Sequence, residues 1–219
     1  MNAQPKYTVA YSGFAPLNTG IFIADADGRN PKPFLAHPAQ DFNASFSRDG
    51  KWIVFTSERN GSADIYRAHP DGTGLERLTD DPAFDDQAAL SPDGRTVVFV
   101  SSRSGHAELW TLDLVTKKVR NITNHAGGHF RPVWSPDGKR LVFRTADKAG
   151  KGLRIVDIET GEIHVLTEGD HTDNFPDWSP KGDWICFTSN REDKDSEITA
   201  LTDNPWEDAT PRWAPLKRK

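Results

Sequence analysis

A four-residue turn recurs along this chain without slippage. Ser47-Arg-Asp-Gly-Lys51, Ser91-Pro-Asp-Gly-Arg95, Ser135-Pro-Asp-Gly-Lys139 and Ser179-Pro-Lys-Gly-Asp183 each begin 44 residues after the one before. A period of this size, held over four copies, means that one supersecondary unit is repeated and that neighbouring units bury their apolar faces against each other. The turn chemistry is that of a β-hairpin. Pro presets φ at the second position, and Gly supplies the permissive backbone that re-enters a strand.

The period extends into the flanks. Phe46, Leu90, Trp134, Trp178 and Trp213 form one bulky column before the turn, and Tyr11, Phe55, Phe99, Phe143 and Phe187 form another after it. A third strand begins at Ile21, Ile65, Leu109 and Leu153, and a fourth ends at Phe34, Leu78, Ile122 and Leu166. Each unit therefore holds four short antiparallel strands, which predicts an all-β fold. The expected architecture is a single five-bladed β-propeller over residues 1–219, with blades at about 41–84, 85–128, 129–172 and 173–207, and a composite blade from 1–40 and 208–219. In that composite blade Tyr7-Thr-Val-Ala-Tyr-Ser12 pairs with residues 208–214, so the chain ends close the ring and remove its exposed edges. From Ser179 to Ala214, the equivalent position in the next unit, is 214 − 179 = 35 residues instead of 44, so the hairpin joining strands three and four of the fifth blade is missing. That predicts a stunted outer edge, and either a monomer or a dimer formed through it.

Pro132-Val-Trp-Ser-Pro-Asp-Gly-Lys139, then Phe143, with Asp64-Ile-Tyr66 and Leu78-Thr79 in the corresponding places of another unit, resembles the WD-like repeat of the TolB-like β-propeller family. The resemblance covers nearly the whole chain. It implies a propeller and, because the namesake is a periplasmic protein that binds other proteins, a binding role. The matched residues are turn and packing residues and specify no activity. Five units stand here where that family usually has six, so its particular partners are not carried over.

Composition narrows the function further. A net charge of −5 argues against a nucleic-acid surface, which needs clustered Lys and Arg. No apolar run approaches a bilayer span, so no membrane role is expected. The first residues carry neither a basic nor an apolar leader segment, which reads as cytoplasmic, or as periplasmic for a processed mature chain. The single cysteine, Cys186, lies in an apolar run and reads as a small buried hydrophobe.

Candidate site residues lie where one unit leads into the next. Six residues before each turn serine stand Asp41, Asp85, His129, Asp173 and Asp208, and two residues further come Asn43, Gln87, Arg131, Phe175 and Thr210. Twelve residues after the serine stand Arg59, Arg103, Asp147 and Arg191, with Ala15 in the composite blade. The unit that exchanges Asp for His129 also exchanges Arg for Asp147, which predicts that the two columns touch: Asp41 with Arg59, Asp85 with Arg103, Asp173 with Arg191, and His129 with Asp147. As exposed ion pairs these are expected to contribute about 0–1 kcal/mol each. Trp206, whose column otherwise holds Ala39, Ala83, Gly127 and His171, is a candidate aromatic anchor. The expected channel-mouth binding set is Asp41, Asp85, His129, Arg131, Asp173, Asp208 and Trp206.

No Gly-x-Ser-x-Gly elbow, phosphate loop or His-Glu-x-x-His motif occurs. His125, His129 and His171 lack diagnostic metal spacing, so neither a metal nor another cofactor is expected. The leading expectation is a non-enzymatic propeller that presents its channel mouth to a protein or peptide. The alternatives are a carbohydrate-active enzyme using channel-mouth carboxylates, and a truncated or engineered scaffold with no function of its own.

Overall fold

Each turn serine organises its hairpin through its hydroxyl. Ser47 Oγ donates to Asp49 Oδ1 at 2.7 Å and accepts from the Trp52 N–H at 2.9 Å, while the Asp49 carboxylate takes the Lys51 N–H at 3.1 Å. The arrangement repeats at Ser91 with Asp93 and at Ser135 with Asp137. The closing glycines, Gly50, Gly94, Gly138 and Gly182, have φ between 70° and 78°, which a side chain would resist. The serine hydroxyl is the leading cause that holds the Asp49, Asp93 and Asp137 carboxyls below their ordinary range.

The structure is a computed structural model that describes residues 8–15, 18–25, 28–125, 127–147 and 150–190. Among these there are seventeen strands and no helix. The first sheet contains β1 (Thr8–Ala15), β2 (Asn18–Asp25) and β3 (Lys32–Phe34). The second contains β4 (Asp41–Phe46), β5 (Ile53–Ser57), β6 (Asp64–Ala68) and β7 (Glu76–Arg77). The third contains β8 (Asp85–Leu90), β9 (Thr96–Ser101), β10 (Glu108–Asp113) and β11 (Val119–Asn121). The fourth contains β12 (His129–Trp134), β13 (Arg140–Asp147), β14 (Gly150–Asp157) and β15 (Ile163–Val165), and the fifth contains β16 (Asp173–Trp178) and β17 (Ile185–Ser189). Every pairing is antiparallel and sequential, as the hairpin repeat predicts. The closing strand at 208–214 and the shortened edge at 197–202 lie outside the described residues.

The core lies between neighbouring sheets. Alternate residues of a strand face opposite sides, so Ile53 and Phe55 pack on Ile21, Ile23 and Phe34 of the preceding sheet, while Val54 packs with Ala88, Leu90 and Val97 of the following one. The same layering joins Val98 and Val100 to Trp134, Leu141 and Phe143. Phe55, Phe99 and Phe143 are fully buried, each contributing about 1.5–3 kcal/mol relative to exposure. The two tryptophans of the pre-turn column add polar links backward. Trp134 Nε1 donates to Ala89 O at 3.1 Å and Trp178 Nε1 to Val133 O at 3.2 Å. Cys186 departs from expectation. Cys186 and its neighbour Phe187 are half-buried.

Candidate binding site on the first strands

The first strands of successive sheets lie beside one another, β4 against β8, β8 against β12, and β12 against β16. They form the inner edge of the array. Each carries a β-bulge at the same place: register shifts between Phe42 and Ser45, Asp86 and Ala89, Phe130 and Val133, and Asn174 and Asp177. Two residues of the first strand thus oppose a single phenylalanine of the second, and the first of the two takes a left-handed backbone. Those residues are Asn43, Gln87, Arg131 and Phe175, with φ of 52°, 54°, 56° and 50°. Asn tolerates that conformation. Arg131 and Phe175 do not favour it, and each precedes a proline, which pushes a residue toward extended φ.

The bulge side chains hand contacts from sheet to sheet. Asn43 Nδ2 donates to Asp86 Oδ1 at 2.8 Å, and Thr56 Oγ1 donates to the same oxygen at 2.7 Å. Gln87 Oε1 accepts the Arg131 N–H at 2.7 Å. The Arg131 guanidinium carbon lies 3.9 Å from the centre of the Phe175 ring. Asn43 and Arg131 are exposed, and Gln87 and Phe175 are half-buried.

One layer outward lie the predicted charge columns. Arg59 Nη2 meets both Asp41 oxygens at 3.1 and 3.2 Å, and Arg103 Nη2 meets those of Asp85 at 2.8 and 3.0 Å. In both cases Nε donates to a strand-end serine, Ser57 or Ser101, and the guanidinium covers two aromatic rings. These pairs are enclosed where the sequence suggested exposed ones. The Asp85 side chain is 0% exposed and that of Arg103 15%. Burial pushes the Asp85 carboxyl up, and Ser101 and Arg103 only partly counter it.

The remaining expected site residues are placed as follows. His129 is buried, its Nδ1 3.0 Å from Thr123 Oγ1 and its ring edge-on to Phe143. The Asp147 side chain and Arg191 lie outside what the structure describes, so the contacts of His129 with Asp147 and of Asp173 with Arg191 do too. Asp173 is buried, with His171 Nε2 at 3.3 Å. Asp208 and Trp206 lie outside the described residues. Among the described residues no three His, Cys, Asp or Glu side chains gather to hold a metal ion. Sequence reasoning passed over Asp86, Arg144 and Asn174. Their signal lay in two further columns at the same period, Phe42, Asp86, Phe130, Asn174 and Thr56, Val100, Arg144, Thr188.

Repeated hairpins with this inner-edge geometry are matched by the profile of the TolB beta propeller domain, over residues 7–106 and 70–210. The chain belongs to the TolB β-propeller family. It is 32% identical over 63 residues to the Tol-Pal system protein TolB of Desulfosudis oleivorans, a stretch covering 26% of this chain and 14% of that protein. TolB from Acinetobacter baumannii superposes with a TM-score of 0.74 at 24% identity, covering 86% of this chain and 48% of that chain. Putative TolB from Agrobacterium tumefaciens superposes with a TM-score of 0.71 at 25% identity, covering 84% and 71%. The chain thus spans about half of the Acinetobacter TolB chain and a seventh of the Desulfosudis protein. In this chain the enclosed Asp41–Arg59 and Asp85–Arg103 pairs tie the start of a first strand to the loop that follows the second. Along the bulge row the side chain differs in each of the four sheets: Asn43, Gln87, Arg131 and Phe175.

Proposed function

We propose that this chain is a non-catalytic propeller that binds a protein or peptide at the inner mouth of its ring. In this reading five blades close through pairing of the N-terminal strand with residues 208–214, so the bulge row encircles a channel. The observation that carries it is the row itself. Asn43, Gln87, Arg131 and Phe175 share one backbone conformation yet present an amide, a second amide, a cation and an aromatic ring. A purely structural row has no need of that variety, whereas recognition of an asymmetric ligand does. The relative named for the Tol-Pal system supports a protein partner in general. The family resemblance favours the periplasmic alternative. Among the described residues, the channel-mouth carboxylates Asp41, Asp85 and Asp173 are enclosed, which speaks against their serving as a glycoside-cleaving pair.

Site-specific photo-crosslinking tests this reading. A benzophenone side chain at position 43, on the inner edge, is expected to capture a discrete partner from a periplasmic extract. The same group at position 115, an exposed outer turn, is expected not to. Equal capture at both positions, or none at 43, overturns the assignment.

A further inference from the structure

The outermost strands β7, β11 and β15 pair with their neighbours in one register, and that register fixes which backbone groups point outward. In the fourth sheet the Asp157 N–H donates to Glu162 O and the Leu166 N–H to Leu153 O, both at 3.0 Å. Bonded and non-bonded pairs alternate along an antiparallel ladder. His164 is therefore bonded to Ile155, while Ile163 and Val165 turn their N–H and C=O groups away from β14. The same alternation turns Arg77 outward in β7, and Val119 and Asn121 in β11.

Side chains at these positions set β15 apart. Arg77 is paired with Asp64 and Asp80, Asn121 donates to Glu108, and the outermost strand of the first sheet carries Pro33. Charge, polar contacts and proline at an edge discourage a further strand from adding. In β15 both outward positions are apolar and β-branched. Ile163 and Val165 are 37% and 57% exposed, and Leu166 follows at 38%. Open backbone groups beside exposed apolar side chains are a template for another strand.

We infer that β15 is the interface of a symmetric dimer, pairing antiparallel with β15 of a second copy of this chain about a twofold axis at His164. The strand is complementary to itself in that register. Ile163 falls opposite Val165 of the second copy and Val165 opposite its Ile163, so the outward N–H and C=O groups of all four residues are used. Their β-branched side chains meet on one face of the joined sheets. Glu162 falls opposite Leu166, so no two carboxylates stand directly against each other. The contact uses the same patch on both copies, so assembly stops at two. It buries little surface, which makes the dimer weak and dependent on concentration. The edge lies on the outer rim, and the inference is independent of the inner-mouth reading.

The test is sedimentation velocity on the full chain over a range of concentrations, where the weight-average mass is expected to climb from monomer toward dimer. Val165→Pro removes an N–H that the chain's own sheet does not use, and with it two hydrogen bonds per dimer. It is expected to weaken association at least about tenfold while leaving the circular dichroism spectrum unchanged. Val115→Lys, at an exposed apolar position on an outer turn, is expected to leave association as it was. Cysteine pairing reads the register. With Cys186→Ser as background, His164→Cys is expected to cross-link two chains under mild oxidation, because facing residues of a non-bonded antiparallel pair have Cα atoms about 4.5 Å apart, within a disulfide's span. Leu166→Cys, opposite Glu162, is expected not to. A chain that stays monomeric at every concentration overturns the proposal. So does a dimer undiminished in Val165→Pro, which places the contact elsewhere, or equal cross-linking at 164 and 166.

Discussion

Ser179 donates its hydroxyl to Asp183 at 2.6 Å, two residues beyond the carboxylate that Ser47, Ser91 and Ser135 use. Lys181 occupies the usual acidic position in this turn, and Asp183 reaches back to supply the missing acceptor. The hydroxyl then receives the Asp183 and Trp184 N–H groups at 3.2 and 3.1 Å, so the hairpin closes as the others do. Asp183→Ala is expected to lower stability, because the Ser179 hydroxyl loses its acceptor. Adding Lys181→Asp should return it. Urea denaturation of the single and double variants checks both, and failure of the rescue would mean that Asp183 acts by some other contact.

The turn aspartates also set an acid limit. Asp49, Asp93, Asp137 and Asp183 have carboxyls held low, first of all by their serines. A carboxyl lowered in the folded state stabilises it above its unfolded value, near 4, and that stabilisation is lost as pH falls through the folded value. The contribution of these turns is therefore expected to be level from about pH 7 to 5 and to decline below about pH 4. Ser91→Ala should make that decline shallower in acid titrations followed by near-ultraviolet circular dichroism. A slope unchanged by the substitution would remove the turns from the explanation.

Arg103 is the counterion that lets Asp85 remain enclosed. Because burial raises the Asp85 carboxyl, its ionised form disfavours the fold as pH rises above the ordinary value, and Ser101 and Arg103 oppose this. Arg103→Leu leaves a buried anion without its partner and is expected to cost about 3–5 kcal/mol. Adding Asp85→Leu should recover most of the loss. Additive losses in the double variant would show that the two groups are not coupled.

Backbone strain sits under the candidate site. Arg131 and Phe175 hold φ of 56° and 50°, each ahead of a proline. Such conformations cost on the order of 1–3 kcal/mol for an ordinary residue. Asn, which the first of these bulges already uses, accepts the conformation more readily. Arg131→Asn is thus expected to raise stability by about 0.5–1 kcal/mol. A melting temperature that drops instead would show that the stacking on Phe175 outweighs the strain.

The repeat made most of the fold legible before any coordinates. Antiparallel strands follow each turn, and Phe55, Phe99 and Phe143 of one column and Ile21, Ile65, Leu109 and Leu153 of another are fully buried. The compensated exchange at His129 and Asp147 pointed to touching columns, and the Asp41–Arg59 and Asp85–Arg103 pairs are formed as that exchange predicted. Their enclosure was not legible. Charge at a loop position reads as exposed unless the neighbouring sheet that covers it is known.

What the sequence by itself determined is the unit: its length, its turn chemistry and its alternation of apolar residues, all local properties set by spacing along one chain. The tertiary structure alone decided the bulge at each first strand and the convergence of three columns from two sheets on one point. Asn43, Thr56 and Asp86 are up to 43 residues apart and meet only because one sheet stacks on the next. A one-residue shift in register at the bulge turns a core position toward the inner edge, and no periodicity in composition announces that shift.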